Sequence, residues 1–163
     1  MPNASTAKLV RVVTQVAGAG SVSDNPLNSV NHQFNVVVEG RAGRLLGASG
    51  QPYTLRIAAL DLTTGINPHS AANNFSQQRT GQFDAADGWP DKVATFIVTL
   101  NDLEAVQDHL FRYYAILTST NQITSFVESP LFHLHADRQG TNSFYAGTVG
   151  GSWPDSFLQS RSE

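Results

Sequence analysis

The chain has 163 residues, a net charge of −3 and only 14% charged side chains, which suits one domain with a core large enough to need no staples. It contains no cysteine, so disulfides, zinc–thiolate and iron–sulfur centres and thiol catalysis are excluded. Its lysines and arginines are scattered, leaving no footprint for nucleic acid. No signal-peptide pattern and no apolar run near the roughly 18 residues of a spanning helix are present, so the default expectation is a soluble protein without a membrane partner that stays in the cytoplasm or is exported without a classical signal.

Residues 1–7 are small and polar and are expected to be a disordered lead. Residues 8–16 (KLVRVVTQV) are rich in Val and alternate loosely, as a strand does; 17–31 are dominated by turn residues. Residues 33–40 (QFNVVVEG) form the clearest strand, with Phe34, Val36 and Val38 on one face, because a period of two decides which face is buried. Residues 41–52, with Gly43, Gly47 and Gly50, read as a connecting loop. Residues 53–62 (YTLRIAALDL) return to strand, with Tyr53, Leu55, Ile57 and Ala59 on one side. The far end of this run is apolar on both sides, which suits a central or covered strand. Residues 63–91 are the longest irregular stretch, with an edge strand expected near 76–83. A loop beyond about 12–15 residues in a compact domain is usually functional or disordered.

The densest pattern lies at 92–134. Residues 92–100 place Phe96, Val98 and Leu100 inward. Residues 101–108 suit one helical turn capped by Asn101 or Asp102. Residues 109–118 place Phe111, Tyr113, Ala115 and Leu117 on one face, and Asn121-Gln122 makes a hairpin turn. Residues 123–134 form a last long strand, bent at Pro130, as an edge position or a bulge allows. Beyond His135 the chain is turn-rich with isolated aromatics, and residues 138–163 are read as an extended C-terminal arm to a domain spanning 8–137.

Short alternating strands with almost no helical period predict an all-β fold, an antiparallel β-sandwich. The runs FIVTL, FRYYAIL and SFVESPLF, spaced by turns over roughly 92–134, resemble the last three strands of an immunoglobulin-like or fibronectin type III-like sandwich. The resemblance is architectural. It implies a tyrosine-corner aromatic at Phe111 or Tyr113 and no catalytic residues, and the Cys pair and early-strand Trp of antibody domains are absent.

Three patterns could carry chemistry. His133, His135 and Asp137 alternate, so on a strand they form a row that could bind a divalent metal, with His32, His69 or His109 as a further ligand. The row resembles the H-x-H of cupin metal sites, without the glutamate, glycine and second histidine motif of that pattern. Asp84, Asp87 and Asp91 lie on a Gly-containing loop that loosely suits calcium, or an ordinary turn. Phe75, Phe83, Trp89, Tyr145 and Trp153 stand among Asn, Gln and Asp, which is the composition of a carbohydrate site or a protein interface, or of rings plugging the sandwich ends.

The expectation is a non-enzymatic, homo-oligomeric binding or assembly module using the 63–91 loop and the C-terminal arm, with Phe83, Asp87, Trp89, Tyr145 and Trp153 as its binding residues. A metal-dependent protein using the His-x-His-x-Asp row and a carbohydrate-binding module are the alternatives. No cofactor is expected beyond that metal, and the partners are a second copy, another protein or a carbohydrate.

Overall fold

The computed structural model describes residues 6–68, 70, 72–119 and 122–136. Two antiparallel sheets pack face to face. One holds β1 (Ala7–Val16), β2 (Gln33–Ala42) and β5 (Asp91–Thr99), in the order β1-β2-β5. The other holds β3 (Pro52–Asp61), β4 (Gln77–Gln82), β6 (Leu110–Ser119) and β7 (Gln122–Glu128), in the order β4-β3-β6-β7. A short β8 (Phe132–His133) pairs with the start of β6. The predicted antiparallel sandwich is therefore the observed architecture.

The alternation set the buried faces. Phe34, Val36 and Val38 of β2 face Phe111, Tyr113, Ala115 and Leu117 of β6 across a core that also takes Leu55, Ile57, Phe96, Val98 and Leu100. A one-residue slip in any strand would turn this set to solvent. The strand from 123 is broken at Pro130 as expected: β7 and β8 share one lane beside β6, and Ser129 bridges the break by exchanging bonds with Tyr113 (2.8 and 2.9 Å).

The edge strand expected near 76–83 is β4, and the 63–91 stretch adds a short 3-10 helix at Ala85–Asp87. Residues 101–108 make a single hydrogen-bonded turn, with Gln107 N–H on Leu103 O at 2.8 Å and Asp102 Oδ1 accepting from Ala105 N–H at 3.3 Å. One expectation needs correction. Tyr113 makes no tyrosine corner. Its buried hydroxyl donates to Phe75 O at 2.9 Å, 38 residues upstream, and so ties the segment before β4 to the core. Burial pushes its pKa well up.

The sheet edges are closed by side chains. Along β5, Gln77 Nε2 donates to Ile97 O (2.8 Å), Asn74 Oδ1 accepts from Thr99 N (2.7 Å), and Arg79 donates to Thr95 O while its guanidinium lies 4.4 Å from the centre of the Phe96 ring. Along β1, a bulge between Leu9 and Arg11 turns Leu9 N–H to Ser125 Oγ of β7 at 2.9 Å. Unpaired strand edges otherwise recruit other chains.

Tyr113→Phe leaves the Phe75 carbonyl buried without its donor. The expected loss is about 1–3 kcal/mol, read from urea unfolding as a lower midpoint at an unchanged m-value; an unchanged midpoint would show that this bond does not hold the segment.

Candidate functional site

Each end of the sandwich is plugged by an aromatic cluster, and each cluster is tied to a buried or half-buried carboxylate. At the first end Tyr53, Phe83 and Trp89 meet with ring centres 4.8–5.5 Å apart. The Trp89 ring lies against Gly40 of β2, where an added Cβ would come within 3.3 Å of it. A cis peptide joins Trp89 to Pro90. Asp87 is the polar counterpart of this plug. Its Oδ2 accepts from the Tyr53 hydroxyl, and its Oδ1 lies 2.8 Å from Lys92 Nζ. Gly81 of β4 makes room for the pair: a Cβ there would collide with Asp87 Oδ2 and stand 2.8 Å from the Tyr53 hydroxyl.

Burial pushes the Asp87 carboxyl up, but the bonds from Lys92 and Tyr53 outweigh it and hold its pKa below the ordinary value. Tyr53 moves the other way, because burial first, then the neighbouring Asp87 acceptor and its charge, disfavour the phenolate. The Trp89 indole N–H is buried without a hydrogen bond of normal geometry, yet it is near enough to Tyr53 to oppose that rise.

These contacts relocate the loop residues expected to bind a ligand. Phe83 and Trp89 are 0% and 4% exposed, and Phe75 is also buried, because their faces are taken by core partners. They plug the sandwich ends. The acidic loop does not converge on a calcium site either. Asp84 caps the 3-10 helix by accepting from Asp87 N–H (2.9 Å), Asp87 is engaged as above, and Asp91 turns outward to Arg41 at 3.3 Å. Tyr145 and Trp153 lie outside the described residues.

At the second end Phe34, Phe75, Phe111, Tyr113 and Phe132 pack together with centres 5.5–6.4 Å apart, Phe34 tilted or edge-on to its neighbours and the others stacked. Asp61, at the end of β3, is buried beside them. Its Oδ1 accepts from Thr63 and Thr64 N–H (2.9 and 3.2 Å), and its Oδ2 lies 2.6 Å from His109 Nδ1. Burial pushes this carboxyl up, and the bonds from His109 and the two backbone groups pull it below its ordinary value. This Asp–His pair was missed in the sequence. The signal was there, since Asp61 continues the inward parity of Tyr53, Leu55, Ile57 and Ala59, and His109 shares the parity of Phe111. A polar residue on an inward position must find a partner.

The histidine row is held by neighbours. His133 pairs with Leu110 and its backbone N–H bonds Asp24 O at 2.8 Å. His135 is bracketed by the Asn25 side chain (3.0 and 3.2 Å), and its Nδ1 lies 2.8 Å from Asp108 Oδ1. Asp137 lies outside the described residues. Among the described residues no three potential ligands gather around one point, and no helix is long and apolar enough to cross a membrane.

What the interior does not use is the outer face of the four-stranded sheet. Its ladders run Arg56–Ile116–Phe126, Ala58–Tyr114–Glu128, Leu60–Arg112 and Leu110–His133. Phe126 is 51% exposed and stacks on Tyr114 with ring centres 5.5 Å apart. Ala58, Leu60 and Ile116 are half-buried around them. Exposed Leu62, Leu110 and Leu131 stand at one end of the strands that carry this face. The polar groups pair with one another: Arg112 with Glu128 at 3.0 Å and Arg56 with Gln78 at 3.0 Å. The outer face of the three-stranded sheet differs, since Asn35, Thr95 and the Arg11–Glu39 ion pair (2.7 Å) interrupt its aliphatic residues and it has no ring.

No family model matches the chain, and no curated protein matches it. Among solved structures, the β-glucuronidase of Bifidobacterium dentium, in complex with coumarin-3-O-glucuronide, is similar at a TM-score of 0.42 and 11% identity, over 80% of this chain and 18% of that chain. The chain thus spans under a fifth of that protein's length, and a likeness at this level carries no inference about activity.

The depressed Asp61 and Asp87 carboxyls stabilise the fold above their unfolded pKa of about 3.9, and the contribution is lost as pH falls through their lower folded values. Asp61→Asn and Asp87→Asn should each lower stability at pH 7 and flatten its decline below about pH 4. Urea midpoints measured from pH 7 to pH 2 test this; an acid limb as steep as that of the parent would refute the assignment.

Proposed function

We propose that this chain is a non-enzymatic assembly module of immunoglobulin-like architecture that self-associates through the outer face of its four-stranded sheet. The observation that carries the reading is the Phe126–Tyr114 stack, set among Ile116, Leu60 and Ala58 on a face that nothing in the described chain covers. Contiguous apolar surface rimmed by polar groups marks an interaction site. Aromatic residues and arginine at the centre are the side chains that dominate protein interfaces.

The chemistry of the face favours protein over sugar. Phe126, Ile116, Leu60 and Ala58 offer no hydrogen bond, and the charged groups beside them are already paired. A sugar's hydroxyls would find few free partners there. The acid–base residues favour a structural role too, because Asp61, Asp84 and Asp87 each hold backbone or side-chain donors of the fold.

The strand order supports the immunoglobulin-like reading. In constant-type immunoglobulin domains the first, second, fourth and fifth strands form one sheet and the third, sixth and seventh the other. Here the same partition holds except that β4 sits beside β3. Tyr113 and the missing Cys pair depart from antibody domains, so the likeness stays one of architecture.

Light scattering of the full chain should give a mass above that of the monomer. Phe126→Ser, which leaves the core untouched, should weaken the association at least about tenfold, or 1.4 kcal/mol. A monomeric parent chain, or a variant that associates as tightly as the parent, would sink the reading.

A further inference from the structure

Resting on that self-association reading, we infer that the outer face of the four-stranded sheet is covered by residues 137–163 of a second copy, which lay Phe144, Tyr145, Trp153 and Phe157 on the Phe126–Tyr114 stack and its aliphatic border. Three observations lead there. Among the described aromatic residues only Tyr114 and Phe126 stand outside the core, and both lie on this face. The four remaining rings of the chain all lie beyond residue 136, spaced among Gly, Ser and Thr. These four rings and the Tyr114–Phe126 pair are the aromatic groups that the described core leaves unused.

The third observation is how the chain leaves the sheet. The β7–β8 lane borders the face, and the chain runs along it past Leu110 towards the end of the sheet. The exit is fixed as far as His135. Asp24 O takes the His133 N–H, the Asn25 amide holds both backbone groups of His135, and Asp108 holds its imidazole. Held there, the chain reaches Ala136 packed against the core beside the β1–β2 connection. A return over the outer face of its own sheet would need the chain to reverse, which docking on a second copy does not require. At about 3.3 Å per residue, the segment is long enough to cross a face whose β6 strand is itself only Leu110–Ser119. The segment carries three acidic and two basic side chains (Asp137, Asp155, Glu163, Arg138 and Arg161), so it docks beside the paired Arg112 and Glu128 with little net charge of its own.

The test uses full chains throughout. One variant loses the face (Phe126→Ser), and another loses the rings of the segment (Phe144→Ser, Tyr145→Ser, Trp153→Ser and Phe157→Ser together). Ile116→Thr replaces the first if Phe126→Ser fails to fold, as judged by thermal unfolding. Each variant alone should be monomeric by light scattering, and an equimolar mixture should re-form a one-to-one complex, since one supplies the segment and the other the face. A segment variant that still associates like the parent would mean that face packs on face, which removes this inference and leaves the self-association reading intact. Monomeric variants that fail to combine would place the segment on its own chain and also overturn it. A parent chain that is monomeric removes both.

Discussion

A pair of small sheets can hide a common core only if something closes the seams between them. In this protein side chains do it. Asn74, Gln77 and Arg79 reach from the β4 side to the backbone of β5, and Ser125 of β7 meets the bulged Leu9 of β1. The seven main strands thereby form a flattened ring whose backbone edges are engaged at both seams. The polar composition follows from this. A QQRTGQ strand buries little, but its long amides and guanidinium are the groups that can span from one sheet to the carbonyls of the other. Each such bond replaces a strand partner that a fully closed barrel would supply.

With the seams closed, the ends of the ring are the next opening, and the two aromatic clusters fill them. Rings suit this place because they bring a large apolar area on few rotatable bonds, and their edges pack at tilted angles without voids. Each plug needs a loop to carry it, and each loop is fixed by a carboxylate: Asp87 under Tyr53 and Lys92, Asp61 under His109 and two backbone donors. That is why the residues that look most like chemistry serve the fold. Both oxygens of each carboxylate hold donors of the fold, and their pKa values are shifted towards the charged form that those bonds require.

Much of this was legible in the residues. The alternation of Phe34-Val36-Val38, of Phe96-Val98-Leu100 and of Phe111-Tyr113-Ala115-Leu117 placed the strands and their buried faces, because burial on one side of a pleat enforces a period of two. What it could not place was the fate of side chains outside strands. Trp89 and Phe83 sit among Asp, Gly and Pro, a composition that leaves exposure and a plug at the sandwich end both open, and their burial, with the Trp89 ring against Gly40, shows that the plug holds. The Asp61–His109 pair was within reach of the same parity rule, but it joins residues 48 apart and needed a polar residue on an inward position to be treated as a question about its partner.

The same rule explains why the outer face escaped notice. In YTLRIAALDL both parities are apolar over Ile57 to Leu60, and a strand with two apolar faces is read as buried on both. In the fold β3 is indeed central, between β4 and β6, yet only one of its faces meets the other sheet. The second face keeps apolar groups because neighbours on its own sheet half-cover them: Leu60 beside Arg112, Ala58 beside Tyr114, Arg56 beside Ile116 and Phe126. A strand that shows two apolar faces in a two-layer domain thus has one more apolar face than the domain can bury, and that surplus is the outer face on which the proposed self-association rests.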